Sequence, residues 1–339
     1  MAKIGVALNG ELAAYVAQAQ QYTDGRLAER DRYQPAGTGG VNGSNFTGPN
    51  LIAGHSGNAV ASDLSCCVIA GGGEANFENV IGAASTANVG TGNSNLPAAT
   101  NTGADVSIIG GGYDNVANGL ASVITAFHSK VESTASHGTI IGGSNHKIHD
   151  SDYGIVAGGT QGEVAADYSA VVGGQNNKAS AMNTLATGLD ADARIPGGVT
   201  RGAGKFLSAG DAQSTITVMK KQTVDANPHS LLATSLNLTL GIPDQTTWLF
   251  SALIVARRVD ADGESAAYKL EGCVDRQTGA NTTALVGAVA KTAIAEDAAA
   301  WDVGATADTT NGRLNLLVTG EAGKTINWVA RVTLVEVTG

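Results

Sequence analysis

The sequence predicts a mainly β protein with a short N-terminal helix, a repetitive parallel β-solenoid and a C-terminal antiparallel β-sandwich. Glycine is unevenly distributed, with 35 of 46 glycines in residues 1–205, whereas all three tryptophans lie beyond that point. Short segments that join a β-branched pair to a glycine pair recur between residues 50 and 190. We therefore expect domains at 1–49, 50–190 and 206–339, with a Pro- and Gly-containing linker at 191–205.

A helix is expected first, over residues 9–32. Asn9 can cap it, Glu11 lies in the first turn, and the segment is rich in helix-forming residues. Apolar residues follow a short heptad pattern at Leu8, Leu12, Tyr15, Ala19 and Tyr22. Two alternatives stay open: the helix packs on its own chain, or several chains share it as a helical collar.

The repeats come next. Five clear copies begin 15 to 17 residues apart: SIIGGGYDNV (107–116), SVITAFHSKV (122–131), TIIGGSNHKI (139–148), GIVAGGTQGEV (154–164) and AVVGGQNNKA (170–179). A repeat this short cannot hold a helix pair, but two short strands and two turns fit one coil of a β-solenoid or β-roll. Residues 90–106 break the period and read as an insertion.

Each coil should bury part of its β-branched pair in a narrow apolar column. We expect Ile141 and Val172 to stack in that column, with glycines at the tight corners. A thin coil buries little apolar surface on its own, so the pattern favours several chains side by side.

The C-terminal part alternates apolar and polar residues. Strands are expected at Thr215–Lys220, Leu231–Leu240, Trp248–Val259, Ala266–Asp275, Leu285–Lys291, Leu314–Val318 and Ile326–Val337. Seven strands in this length are typical of a jelly-roll-like sandwich.

The bulk composition limits the partners. The net charge is −10, no Lys/Arg run is present, and no apolar stretch approaches membrane-spanning length, so neither nucleic acid nor membrane insertion is expected. The N-terminus lacks a signal-peptide pattern, which predicts synthesis in a cytoplasm. No cofactor and no metal are expected, because the histidines lack further ligands at suitable spacing.

These segments carry two resemblances. The serial units over residues 50–190 resemble the rods of phage tail fibres and the heads of trimeric bacterial adhesins. Residues 206–338, including GDAQSTITVMKKQTV and WLFSALIVARRVDADGES, look like a C-terminal domain recurrent in phage tail-fibre and virion proteins. The family implies a homotrimer that is part of a virion, ends in a distal knob and has no catalytic residues to carry over.

The resemblance therefore implies a structural virion protein, a homotrimeric tail fibre or spike that is not an enzyme and mediates adhesion to the host surface. Its expected partners are its own copies, another virion protein bound through residues 1–50, and a host surface glycan or protein. The alternatives are a capsid-attached head fibre or decoration protein and, third, a polysaccharide-degrading tailspike.

Candidate site residues are few. The rod offers the carboxylates Glu132, Asp150, Asp152, Glu163 and Asp167 and the rings Tyr113, Phe127, Tyr153 and Tyr168. A thin coil is expected to lack the groove in which paired carboxylates cleave glycans, so no catalytic residue is predicted. Candidates for receptor contact are Asp260, Asp262, Glu264 and Trp301, because loops on a rigid scaffold carry most binding residues.

Overall fold

A computed structural model describes residues 31–34, 50–61, 64, 66–82, 107–233 and 239–339. The chain forms two compact units, Met1–His149 and Asp150–Gly339, which are described separately. Every regular element of the described residues is a β-strand, so the prediction of a mainly β protein is confirmed. No helix capable of crossing a bilayer occurs in these ranges.

The predicted helix at 9–32 lies outside the described residues except at its end. Asp31 and Arg32 belong to a strand that pairs antiparallel with residues 50–53, so the helix does not extend through them. The insertion at 90–106 also lies outside the described residues. The coil register passes directly from Val80 to Val116 across it.

The strands of the first unit alternate between longer and very short segments. They are β1 Asp31–Gln34, β2 Asn50–Ala53, β3 Ala59–Val60, β4 Val68–Ile69, β5 Val80–Ile81, β6 Ile108–Tyr113, β7 Val116–Ala117, β8 Val123–Phe127, β9 Lys130–Val131, β10 Thr139–Ser144 and β11 Lys147–Ile148. β2, β4, β6, β8 and β10 form one parallel sheet, and β3, β5, β7, β9 and β11 form a second. One coil is therefore a longer strand, a corner, a short strand and a second corner, which is the predicted solenoid.

The second unit continues this alternation and then changes to long antiparallel strands. Its strands are β12 Ile155–Ala157, β13 Glu163–Val164, β14 Ala170–Val172, β15 Lys178–Ala179, β16 Leu185–Leu189, β17 Asp192–Ala193, β18 Val199–Ala203, β19 Ala212–Thr223, β20 Pro228–Ser230, β21 Leu240–Gly241, β22 Thr246–Arg258, β23 Ser265–Arg276, β24 Thr283–Glu296, β25 Asp302–Asp308, β26 Arg313–Thr319 and β27 Ile326–Thr338. β12, β14, β16 and β18 are parallel, and β19 joins β18 antiparallel.

The buried residue of the apolar pair differs between coils: it is the second of the pair at Ile109 and Val156, but the first at Ile140 and Val171. Ile140 and Val171 are buried, whereas Ile141 and Val172 are 55% and 47% exposed. The predicted stacking of Ile141 and Val172 in the core is therefore wrong by one residue. Successive side chains of a strand point to opposite faces, so this slip exchanges the core and the solvent face.

Buried asparagines join consecutive coils at the corner that follows the glycines. The Asn79 side-chain oxygen accepts from the Asn115 backbone N–H (3.2 Å), and the Asn115 side-chain nitrogen donates to the Ala126 carbonyl (2.6 Å). In the second unit the Asn177 side-chain nitrogen donates to the Gly188 carbonyl (2.8 Å). These bonds satisfy backbone groups that the tight corner leaves without strand partners.

Residues 191–205, expected as a linker, contain β17 and β18. Val199 follows Leu185 in parallel register, and Ile195 is buried, so these residues form part of the solenoid. Pro196 and the two following glycines make its corner rather than a flexible joint. This part of the predicted organisation differs from the structure because composition alone does not separate a tight corner from a linker.

The C-terminal part consists of antiparallel sheets. Strands β19, β27, β22, β23 and β24 are neighbours in that order, and β26 pairs with β20, β21 and β25 in a smaller sheet. Buried residues of both sheets, including Trp248, Trp328 and Leu316, form one core cluster. Antiparallel sheets confirm the coarser part of the prediction, while a jelly-roll connectivity stays a prediction.

Candidate functional site

One corner of the first-unit solenoid carries polar residues with left-handed backbone on three consecutive coils. Asp114, His128 and Asn145 have φ values of 53°, 47° and 58°. The His128 N–H donates to the Tyr113 carbonyl (3.1 Å) and the Asn145 N–H to the Phe127 carbonyl (3.0 Å). Asn, Asp and His are the residues other than glycine that are most enriched in this conformation. The backbone therefore fixes these side chains at one edge of the solenoid.

A register shift brings Asp114 level with His128. Ile109 pairs with Ile124, but a bulge after Ile109 makes Gly111 pair with Thr125. The residues beyond the bulge are therefore displaced by one position relative to the preceding ladder. Without that displacement, Tyr113 rather than Asp114 would lie beside His128. The glycine-rich segment permits the bulge because glycine accepts the unusual backbone angles it requires.

Asp114 and His128 form a close polar pair. Asp114 Oδ2 lies 2.6 Å from His128 Nδ1, and the side chains are 19% and 35% exposed. When the carboxylate is ionised, Nδ1–H donates to it, and Nε2 becomes the nitrogen that can accept a proton. A carboxylate that holds an imidazole in this tautomer is a recurrent arrangement for general acid–base chemistry.

Three aromatic rings surround this pair. The rings of Tyr113 and Phe127 lie 5.0 Å apart, and Phe77 contacts Tyr113 edge-on at 5.9 Å. The His128 ring lies 5.0 Å from Tyr113 and 5.6 Å from Phe77. Phe77 and Phe127 are 38% and 46% exposed. The arrangement therefore presents apolar ring surface to solvent beside a group that can transfer a proton.

We name Phe77, Tyr113, Asp114, Phe127 and His128 the corner site. Two of its rings, Tyr113 and Phe127, are among the aromatic residues singled out from the sequence, but His128 is not. The signal that could have found it is the copy SVITAFHSKV, in which histidine replaces the Asp or Asn found at this corner in neighbouring copies.

Two of the carboxylates considered from the sequence, Glu132 and Glu163, form ion pairs with lysines. Glu132 lies 3.3 Å from Lys130 and 3.4 Å from Lys147, and Glu163 lies 2.9 Å from Lys178. The pairs of Glu132 with Lys147 and of Glu163 with Lys178 join neighbouring coils on a solvated surface. Glu132 and Glu163 each pair with lysines rather than with a second acid, so these two residues do not form a glycosidase-type acid pair.

The four candidates for receptor contact fall into different environments. Trp301 is 2% exposed and packs on Trp328 at 5.8 Å between ring centroids, as a core residue does. Asp260, Asp262 and Glu264 lie in or beside the turn between β22 and β23. The Asp262 side chain is fully exposed, and its nearest basic group is Arg257 at 3.9 Å. Receptor contact through this turn stays a prediction.

Two acids of that turn are held by basic groups. Hydrogen bonds from Arg258 lower the pKa of Asp260 to about 2, against the opposing effect of desolvation. The pKa of Glu264 is also lowered, mainly by the hydrogen bond from Lys324 (2.8 Å). The turn is therefore stabilised by ion pairs.

Within the described ranges, no three His, Cys, Asp or Glu side chains converge to hold a metal ion.

No protein-family model and no curated protein matches this chain. Three solved structures are similar to it. The tailspike protein gp49 of Acinetobacter baumannii bacteriophage Fri1, a capsular polysaccharide depolymerase, is 11% identical over 79% of this chain, with a TM-score of 0.23. The tailspikes of Acinetobacter phage vB_ApiP_P1 and Acinetobacter baumannii phage AM24 are 10% and 8% identical over 83% and 87%, with TM-scores of 0.18 and 0.22. This chain spans 46%, 74% and 59% of their respective lengths.

These comparisons overturn the interpretation of the chain as an adhesion fibre that is not an enzyme. The three similar structures are tailspikes, and that of phage Fri1 is a polysaccharide depolymerase. From the sequence a polysaccharide-degrading tailspike is the third alternative, because a thin coil is expected to lack the groove in which paired carboxylates cleave glycans.

Proposed function

We propose that this chain is a subunit of a homotrimeric phage tailspike that binds and cleaves a host surface polysaccharide. The observation that carries the proposal is the corner site, where a carboxylate-bound histidine lies among three partly exposed aromatic rings. Aromatic faces pack against the C–H faces of sugar rings, and an imidazole transfers protons near neutral pH. A coil corner that combines both can hold a polymer chain and act on one of its bonds.

Each residue of the corner site has a separate role in this proposal. Water attacks the anomeric carbon as the glycosidic C–O bond breaks; His128 Nε2 accepts a proton from this water and a proton passes to the departing sugar oxygen, so His128 is the catalytic residue. Asp114 acts through His128 by fixing its tautomer and orientation, so it is a positioning residue. Phe77, Tyr113 and Phe127 hold the sugar rings against the coil corner.

The test is incubation of the purified chain with capsular polysaccharide or lipopolysaccharide from the host. Oligosaccharide release is followed by size-exclusion chromatography and by the appearance of new reducing ends. His128→Asn should lower the rate roughly 100-fold or more, because removal of a general acid–base group has about that effect. The fold should tolerate this change, since Asn145 occupies the equivalent corner of the next coil with a similar φ.

His137→Asn is the matched control. His137 is an exposed histidine of the same unit that also has a left-handed backbone, with φ 55°, and it lies outside the corner site. It should retain the wild-type rate. Absence of product from the wild-type chain, or equal loss of rate in both variants, would contradict the assignment of His128.

The homotrimer is supported by an exposed apolar sheet face in the second unit. Leu249, Val255 and Val335 are 57%, 54% and 52% exposed on the face of the large sheet opposite its core. Exposed apolar residues gathered on one face, in contrast to single scattered ones, are typical of an interface. We infer that equivalent faces of three chains cover one another.

Attachment to the phage particle is assigned to residues 1–50, which lie almost entirely outside the described residues. This assignment and the virion location remain predictions from the sequence. Cross-linking of assembled particles, followed by identification of peptides joined to this segment, would test both.

A further inference from the structure

In the second-unit solenoid, the corner that precedes the longer strand of each coil carries a pair of stacked tyrosines. The Tyr153 and Tyr168 rings lie 5.4 Å apart with an interplanar angle of 9°. They occupy equivalent positions on consecutive coils, because Ile155 and Ala170, two residues further on, are register partners. The two side chains are 49% and 58% exposed. The pair is therefore an aromatic surface that buries little of itself within the chain.

Packing of the coil does not explain tyrosine at these positions. Both residues have left-handed backbone, with φ values of 60° and 56°. This conformation is unfavourable for a bulky side chain and tends to persist where the surrounding structure enforces it at functional sites. At the equivalent corners of the following coils the chain uses Asn183 and Gly197, which accept the same backbone. The fold therefore requires the conformation but not the tyrosine rings.

Backbone hydrogen bonds hold the pair rigidly. The Tyr168 N–H donates to the Asp152 carbonyl (2.9 Å), and the Asp152 N–H donates to a side-chain oxygen of Asp167 (2.8 Å). The Asn183 N–H donates to the Asp167 carbonyl (3.0 Å). Because these bonds lock consecutive corners together, the rings are organised before any ligand binds, which lowers the entropic cost of binding.

The groups beside the rings define the chemistry of a ligand. The Asp152 and Asp167 carboxylates accept hydrogen bonds and repel anions, and the exposed Asn183 amide both donates and accepts. A pyranose has an apolar C–H face that suits an aromatic ring and hydroxyls that suit these polar groups. A carboxylated sugar would place like charges together. The surroundings therefore favour an uncharged sugar over an acidic one.

We propose that Tyr153, Tyr168, Asn183 and the adjoining Asp167 form a carbohydrate-holding platform for uncharged sugar units of a polysaccharide. The platform shares no residue with the corner site. This inference extends the proposed function, since it gives the polymer a second point of contact that retains it between cleavage events. Two weak contacts on one polymer raise overall affinity by effective concentration.

The test is binding of full-length variants to purified host polysaccharide by isothermal titration calorimetry, with the His128→Asn background used to prevent degradation. Tyr168→Asn and Tyr153→Asn should each weaken binding about tenfold. Asparagine is the matched replacement because Asn183 shows that the corner accepts it. Phe206→Ser, which removes a 79% exposed aromatic side chain away from this corner, should leave binding unchanged.

Two outcomes overturn the platform: wild-type affinity in both tyrosine variants, or loss of the native oligomer mass in them, which would make the corner a contact between chains. The results are separable from the proposed function. If the wild-type chain cleaves polysaccharide while the tyrosine variants bind normally, only the platform fails. If the wild-type chain binds without cleaving and the tyrosine variants lose binding, the platform stands and cleavage fails.

Discussion

Single residues in this protein are set by a backbone that repeats more strictly than the sequence does. The same left-handed corner holds Asp114, His128 and Asn145 on consecutive coils. The corner fixes the backbone conformation but does not select the side chain. A corner position can therefore carry a polar or an aromatic residue without a change of fold. The chemistry of the corner site and the tyrosine pair arises from this freedom.

A buried acid lies where the last coil meets the large sheet. Glu336 is 5% exposed, its carboxylate accepts from the Gln213 side chain (3.3 Å) and it lies 3.5 Å from Arg194. Burial raises the pKa of Glu336 above its usual value of 4.5, and the nearby guanidinium only partly opposes this effect. The fold therefore binds the proton of Glu336 more tightly than the unfolded chain does.

This linkage predicts how Glu336→Gln changes stability with pH. Below pH 4.5 the side chain is protonated in both states, so the contribution of the raised pKa is fully present. As the pH rises through the folded-state pKa, that contribution is lost. The free energy of unfolding of the wild type, relative to the variant, should therefore fall between acid and neutral pH. Urea unfolding of both proteins at several pH values measures it, and a constant difference would contradict the prediction.

At the scale of the elements, the sequence predicts the solenoid but not which residue of each β-branched pair faces its core. Repeats with two adjacent β-branched residues satisfy a period of two in either register, so Ile140 and Ile141 are equal candidates for the core. The choice depends on the corners and the asparagine bonds between coils, which are contacts between residues far apart in sequence. The alternation of Trp248–Val259, by contrast, predicts its strand closely, since β22 spans Thr246–Arg258.

The corner site could be predicted only in part for the same reason. The rings of Tyr113 and Phe127 are evident in the sequence, but the pairing of Asp114 with His128 depends on the bulge after Ile109. A shift of one residue in one coil has no distinct sequence signal among so many glycines. The contact between Asp114 and His128, which depends on this shift, can be seen only in the folded chain.

The paired glycines of each coil have different tasks, which gives a matched prediction. Gly173 and Gly174 both have positive φ, of 65° and 77°. A Cβ on Gly174 would lie 1.8 Å from the Gly188 carbonyl oxygen of the next coil, whereas a Cβ on Gly173 would meet nothing within 4 Å. Both alanines bear the left-handed strain, but only Gly174→Ala forces the coils apart. It should cost about 1–3 kcal/mol more than Gly173→Ala.

Thermal and urea unfolding of the two glycine variants measures this difference. Gly173→Ala reports the backbone strain alone and serves as the control. Equal destabilisation by the two substitutions would mean that close approach of the coils does not limit the second position.

At the scale of the whole molecule, an apolar outer surface runs across the sheet of the second unit. Register partners on that face pass from Ile155 through Leu185 and Val199 to Ile216. On the antiparallel strands the same face carries exposed apolar residues such as Leu249, Val255 and Val335 among polar and charged ones. Contact with further copies of the chain would remove these apolar side chains from water.

Leu253→Glu tests this interface while sparing the single chain. Leu253 is 46% exposed, and its register partners on the two adjacent strands are Arg331 and Lys269. A glutamate there faces two basic residues in an isolated chain, so the fold should tolerate it. Where chains meet, the substitution removes apolar contact and desolvates a charge, and the attraction to Arg331 and Lys269 offsets this desolvation only in part.

Native mass spectrometry should therefore show trimers of the wild type and dissociated chains of Leu253→Glu at micromolar concentration, with the circular dichroism of a β protein in both. Thr306→Glu, on an exposed position of β25 in the smaller sheet, is the matched control and should remain trimeric. A monomeric wild-type chain would remove the basis for the homotrimer. A trimeric Leu253→Glu would instead place the interface on another surface, and the exposed face of the large sheet would then need a different partner.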